Sequence, residues 1–211
     1  MFYVQLKFQE EVIFLKKRIL TLLFCLLTIP TMAFADTYTV KSGDSMWKIA
    51  VKYQIGLREI IEANPQISNP SMIYPNQKLN IPNIDSIKTV EREVIRLCNV
   101  ERQKNGLPAL TENWELSRVA RDKSMDMSQK SYFSHTSPTY GSPFDMMKAY
   151  GISYKSAGEN IAKGQTTAQT VVNSWMNSSG HRANILSSSF TQIGVGYYQS
   201  GNYWTQMFIS K

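Results

Sequence analysis

The sequence predicts an α+β protein built from two unlike units, and three observations carry that expectation. Residues 37–82 read as strand, helix, helix, strand, a core near the lower size limit for independent folding. Residues 87–176 hold stretches whose apolar side chains recur at helical spacing. The C-terminal run "TQIGVGYYQSGNYWTQMFIS" alternates instead. It places Ile193, Val195 and Tyr197 on one face and a turn at Ser200–Gly201, which fits a β-hairpin. Helices and an antiparallel sheet within one unit indicate layered α+β packing.

The first 35 residues stand apart. Lys16, Lys17 and Arg18 precede the apolar run "ILTLLFCLLTI", and Ala33 and Ala35 form an A-x-A site, the layout of a secretory signal peptide cut after Ala35. That run falls short of the ~20 residues a bilayer span requires, so the membrane is expected as a partner only in transit. The preceding stretch, with Glu10 and Glu11, suits an upstream extension from a mistaken start rather than a signal n-region.

Loss of residues 1–35 removes four basic and two acidic residues and lowers the net charge from +7 to +5. A modest basic excess suits work against an anionic surface such as a cell wall. No aromatic-interleaved basic stripe is present, which argues against nucleic acid as a partner. Cys98 alone then remains, so no internal disulfide can form. It stands four residues after Val94 on an apolar helical stripe and is expected to be a buried hydrophobe. A secreted chain without disulfides points to a Gram-positive-type bacterium rather than a eukaryotic secretory route.

In the first unit "TYTV" is a strand and Asp44 an N-cap, with Met46, Trp47, Ala50 and Tyr53 at helical spacing behind it. Leu57, Ile60 and Ile61 share a face of the next helix, which Asn64–Pro65 stops. "QKLNIP" closes the unit as a strand. "YTVKSGDSMWKIAVKY", "IIEANPQI" and "MIYPNQKLNIP" together resemble a LysM domain over 36–82. The resemblance implies a βααβ fold that binds N-acetylglucosamine-containing glycans such as peptidoglycan. The implied groove takes Gly43, Asp44, Ser45 and Met46 from one loop and Ile73, Tyr74 and Pro75 from the other. Ser45 stands where Thr is commoner, and Asn76 where the family prefers Gly; Asn tolerates the left-handed turn such a Gly implies. Trp47 is expected in the core.

A short linker, 83–90, leads to the second unit, 91–211. Val90, Val94, Leu97 and Cys98 mark a helix that stops at Gly106. A second helix turns Leu116, Val119, Ala120 and Met127 inward. Ser142–Pro143 open a third, which ends at Gly151, and "TTAQTVVNSWMNS" is a fourth. "FSHTSP", "SPFDMM", "GENIA", "WMNSSGHRANIL" and "IGVGYYQSGNYWTQMF" resemble the bacterial secreted branch of the CAP superfamily from about Glu91 to Lys211. That resemblance implies an α-β-α sandwich whose cleft holds His135, Asp145, Glu159 and His181. Asp145 replaces the commoner Glu, and its shorter arm reaches less far.

Two imidazoles and two carboxylates admit three roles. They could ligate Zn²⁺ or another divalent cation, act as acid and base on a bound water, or form a polar network that organises the cleft. Each residue also has a structural role open to it: Asp145 completing a helix cap, Glu159 bonding loop amides, His135 in an exposed loop, and His181 starting a helix. Gly180 is expected to let the backbone bring His181 towards His135. No serine lies in a G-x-S-x-G context, so a Ser or Cys nucleophile is not indicated. The expectation is a secreted protein of the cell wall or spore envelope that binds peptidoglycan and offers the cleft to an ion, ligand or envelope or spore-coat partner. The alternative is a His/acid or metal-dependent hydrolase of wall peptides or glycans.

Overall fold

The computed structural model describes residues 34–211, and the expected signal peptide lies outside the described residues apart from Phe34 and Ala35, which begin the first strand. Among the described residues no helix is long and apolar enough to cross a membrane.

The small unit runs β1 (Phe34–Thr39), α1 (Met46–Tyr53), α2 (Leu57–Glu62) and β2 (Lys78–Pro82). The two strands pair antiparallel, with Tyr38 opposite Leu79. Tyr38, Val40, Met46, Ile49, Ile60, Leu79 and Ile81 form its core. Ser45, not Asp44, caps α1: its hydroxyl accepts from Lys48 N at 3.2 Å. The Asp44 carboxylate instead accepts from the Tyr38 hydroxyl and Lys41 N, both at 2.8 Å, and so pins the turn one step earlier. Those two bonds hold its carboxyl below the usual aspartate range. Beyond α2, the buried Asn64 side chain donates to Ile60 O and Asn80 O and accepts from Asn80 N, fastening the helix end to β2.

The stretch expected as a linker is helical from Asp85 onward, because α3 spans Asp85–Lys104 without interruption. Ile84 and Ile87 pack on the small unit's core, so apolar burial continues through the junction.

The larger unit adds β3 (Thr111–Glu112), α4 (Trp114–Gln129), α5 (Pro143–Ala149), β4 (Ser156–Lys163), α6 (Ala168–Met176), α7 (Ser179–Ile185), β5 (Gln192–Tyr198) and β6 (Tyr203–Ser210). "GENIA" lies in a strand, for which the sequence pattern gave no sign. The sheet order is β3-β5-β6-β4, with β3 parallel to β5 and the other neighbours antiparallel. The two-residue period sorts β6 cleanly. Trp204 and Phe208 join Val94, Cys98, Val171 and Trp175 of α3 and α6 in one layer. Met207 and Ile209 join Leu116, Val119, Met146 and Met147 of α4 and α5 in the other. The result is an α-β-α sandwich, with Cys98 buried and its thiol pushed up to about 12 by that burial.

Gly194 and Gly196 of β5 point at α4. A Cβ on Gly196 would stand 2.0 Å from Arg121 N, and one on Gly194 2.4 Å from Ser117 N. The helix thus lies directly on strand backbone, and polar side chains of α4 and α3 finish the ladder where β3 is too short. Val195 N donates to Ser117 Oγ at 3.1 Å and Tyr197 N to Glu91 Oε1 at 3.0 Å.

Candidate functional site: two adjoining loops and a histidine–glutamate hollow

The two loops expected to form the small unit's groove are tied together at their bases. Asn76 N donates to Val40 O and Val40 N to Gln77 O, each at 2.9 Å, which ties the loop before β2 to the end of β1. Asn76 takes a φ of +70° and Gly43 one of +83°, both in the left-handed region those residues tolerate. Tyr74 is 60% exposed and Pro75 is exposed, while Ile73 is half-buried against the core. Met46 is buried, so it supports the groove from below instead of lining it with its side chain. Trp47 is not the core residue expected. It is partly exposed, and the Arg118 guanidinium of the larger unit lies over its ring at 4.3 Å.

In the larger unit, the loop carrying His135 follows α4 and is fixed from beneath by that helix. Asp126, buried, accepts from Tyr132 Oη and Ser137 Oγ at 2.7 Å and from Thr139 Oγ1 at 2.5 Å. These bonds outweigh desolvation and hold its carboxyl below the ordinary range. Lys123, also buried, donates to His135 O at 2.7 Å and to Tyr132 Oη at 3.3 Å. The loop's curvature is therefore set by polar residues one turn apart on α4.

Glu159 reaches His135 from β4. Its Oε1 stands 2.7 Å from His135 Nδ1, and its Oε2 is buried without a hydrogen-bond partner. Burial raises the carboxyl above its ordinary value, with the bond to His135 and the nearby Lys123 opposing that rise. The His135 side chain is 52% exposed, so the pair joins a buried carboxylate to a solvent-reachable ring.

His181 arrives on α7. Asn160 Nδ2 donates to His181 O at 3.0 Å, and Asn184 Nδ2 donates to Glu159 O at 3.1 Å and to Asn160 Oδ1 at 2.8 Å. This amide ladder lays the helix along β4 and brings His181 into the neighbourhood of His135. Burial and then the proximity of His135 hold the His181 imidazole below its ordinary value. Gly180 does not serve the approach as expected, since a Cβ there would meet open space and its φ is not positive.

Asp145 is not part of this hollow's hydrogen bonding. It completes the cap of α5, accepting from Ser142 N at 3.1 Å and Ser142 Oγ at 2.6 Å, and those bonds lower its pKa. Among the described residues no three of His, Cys, Asp and Glu gather as a metal-holding group. Of the four side chains weighed as ligands for a divalent cation, Asp145 is committed to a helix cap, while the bond from Glu159 to His135 Nδ1 fixes that ring and leaves its Nε2 open. The arrangement holds the His135 imidazole in one orientation, with His181 near enough for its charge to be felt. Lys123, Asn160 and Asn184 were not foreseen, although "ENI" and "RANI" carry their asparagines inside apolar runs, a recognisable sign of a buried polar tie.

The Cysteine-rich secretory protein family model (CAP) matches residues 95–209, and the LysM domain model residues 38–82. Over 126 residues the chain is 62% identical to the uncharacterized protein YkwD of Bacillus subtilis, covering 60% of this chain and 49% of that protein. It is 47% identical over 47 residues to the N-acetylmuramoyl-L-alanine amidase sle1 of Staphylococcus saprophyticus, covering 22% of this chain and 14% of that protein. Among solved structures it is similar to an extracellular SCP-domain protein from Bacillus anthracis, with a TM-score of 0.57 at 34% identity, covering 64% of this chain and 46% of that one. The chain thus spans about half the length of the first of these relatives. With a family model matched over more than half its residues, the chain belongs to the cysteine-rich secretory protein (CAP) family and carries a LysM domain ahead of the CAP unit.

Proposed function

We propose that this is a secreted protein of the cell wall or spore envelope. Its LysM loops grip the N-acetylglucosamine glycan of peptidoglycan, and its His135–Glu159–His181 hollow receives a ligand or partner protein. The observation that carries the reading is the adjacency of the two loops. The exposed Tyr74 ring supplies a face for the sugar's C–H surface. Tyr74→Ala is expected to weaken co-sedimentation with insoluble peptidoglycan about five-fold, for a loss of about 1 kcal/mol. The unfolding temperature should not move, because the ring stands outside the core. Undiminished sedimentation would refute this grip.

One observation favours a hydrolytic second reading. A histidine whose Nδ1 is held by a buried carboxylate has its Nε2 oriented to take a proton from water, as a general base requires. Release of soluble fragments from peptidoglycan separates the two readings. The binding reading expects none from the parent chain. The hydrolytic reading expects release that His135→Ala lowers by about 100-fold or more, and equal release by parent, His135→Ala and His181→Ala rejects it.

A further inference from the structure

Where α1 and α2 meet the C-terminal end of α5 and the flank of α4, a groove of about 530 Å³ opens between the LysM and CAP units. Trp47, Leu57, Arg58, Ile61, Arg118 and Asp122 line it. Its size lies in the range of pockets that take small organic ligands, roughly 300–1,000 Å³.

Arg118 is its unusual member. The residue is 4% exposed, yet among the described residues its Nε has no hydrogen-bond partner, and its one hydrogen bond runs from a terminal nitrogen to Tyr150 O at 3.2 Å. Among the described residues no carboxylate lies within ion-pair distance of it. The guanidinium carbon lies 4.3 Å from the centre of the Trp47 ring and 5.0 Å from that of the Tyr150 ring. An N–H taken out of water and left unbonded costs about 1–3 kcal/mol, and more on a charged group. Contact with two rings restrains the fork, so it would lose little further freedom on meeting a planar acceptor.

We propose that this groove binds a short peptide segment ending in a free carboxylate. Arg118 serves as the carboxylate fork, and Leu57 and Ile61 pack against the neighbouring apolar side chain. The geometry disfavours the other anionic or cyclic ligands. The Trp47 face that a sugar ring would use is covered by Arg118. Asp122, whose carboxylate accepts from Tyr150 Oη at 2.7 Å, offers an acceptor to a peptide N–H, a donor that a phosphate dianion lacks. Arg58, bonded to Glu62 at 3.0 Å and to Gln129 across the junction, adds positive charge at the rim. The site extends the wall-binding reading to the peptide portion of the same polymer, and rests on that reading only for where such a peptide is met.

The test is a titration of acetyl-Ala-Ala, in L and D forms, and of its C-terminal amide into the full chain. The Trp47 indole N–H resonance is followed, assigned by its loss in Trp47→Phe. A saturable shift with at least one form of the acid, about ten-fold weaker with the amide, is expected. Arg118→Lys keeps the charge but loses the fork and should weaken the acid about ten-fold. Ile61→Trp, at a half-buried position, should fill the groove and abolish the shift even if Arg118→Lys fails to fold. No saturable shift with either form of the acid, equal shifts with acid and amide, or parental affinity in Ile61→Trp would overturn the proposal. Tyr74→Ala should leave peptide affinity unchanged, so loss of the glycan grip and loss of this groove read out separately.

Discussion

Gly196→Ala is expected to destabilise the chain by at least about 3 kcal/mol, because overpacking against a rigid backbone falls at the upper end of its usual cost. The added Cβ would stand 2.0 Å from Arg121 N and 2.1 Å from Ala120 C, so relief requires the whole of α4 to lift from β5. Lifting it would also strain the bonds from Val195 N to Ser117 Oγ and from Ser124 Oγ to Gly196 O. Gly196 has no positive φ, so the demand is for space and not for conformation. Thermal unfolding by circular dichroism should show a fall of about 10 °C. Gly180→Ala is the matched control. Its Cβ meets nothing within 4 Å on α7, and alanine's better helix propensity should leave stability equal or up to about 1 kcal/mol higher. A small effect at Gly196 would mean that the helix does not rest on the strand.

These two glycines show where the chain could be read in advance and where it could not. Apolar periodicity found α1, α2, α3, α4 and the β5–β6 hairpin because each buries a regular stripe, and the Ser142–Pro143 cap found α5. It missed β4, where Gly158, Glu159 and Asn160 break the pattern expected of a strand and are nonetheless buried. It also read α4 as amphipathic, whereas Arg118, Arg121, Asp122, Lys123, Ser124 and Asp126 are all buried. Local pattern cannot reveal that a helix has a sheet on one side, a loop on another and a second domain on a third. Of the four side chains expected to converge, His135 and Glu159 are hydrogen-bonded. His135, Glu159 and His181 stand in the motifs of their family, but the role of Asp145 depends on which competitor wins its carboxylate. The nearby Ser142 hydroxyl and N–H did, which is the outcome that three-residue spacing favours. Lys123 is 12 residues from the carbonyl it fixes, beyond any local rule.

The same burial makes Arg121→Ala a severe substitution, with an expected loss of about 3–5 kcal/mol at neutral pH. Arg121 is 5% exposed and bridges Glu59 of the LysM unit, at 2.8 Å, and Glu91 of α3, at 2.7 Å. Glu91 in turn ends the open edge of β5 by accepting from Tyr197 N. Without the guanidinium, Glu91 would be a buried charge facing one backbone amide. Its titration fixes the sign of the pH dependence. Burial pushes Glu91 up to about 7 from an ordinary 4.5, with Arg121 as the main influence drawing it down. The folded chain therefore binds this proton more tightly than the unfolded one, and the group's contribution to stability is lost as pH rises from 4.5 to about 7. Removing Arg121 raises the folded value further, so the loss continues above pH 7. The gap in unfolding free energy between parent and Arg121→Ala should accordingly be smaller near pH 5 and widen towards pH 9 in urea titrations. Adding Glu91→Gln, which keeps an acceptor for Tyr197 N without a charge, should recover part of the loss and flatten the pH dependence. A gap that stays constant with pH would show that Glu59, and so the bond between the two domains, carries the whole effect.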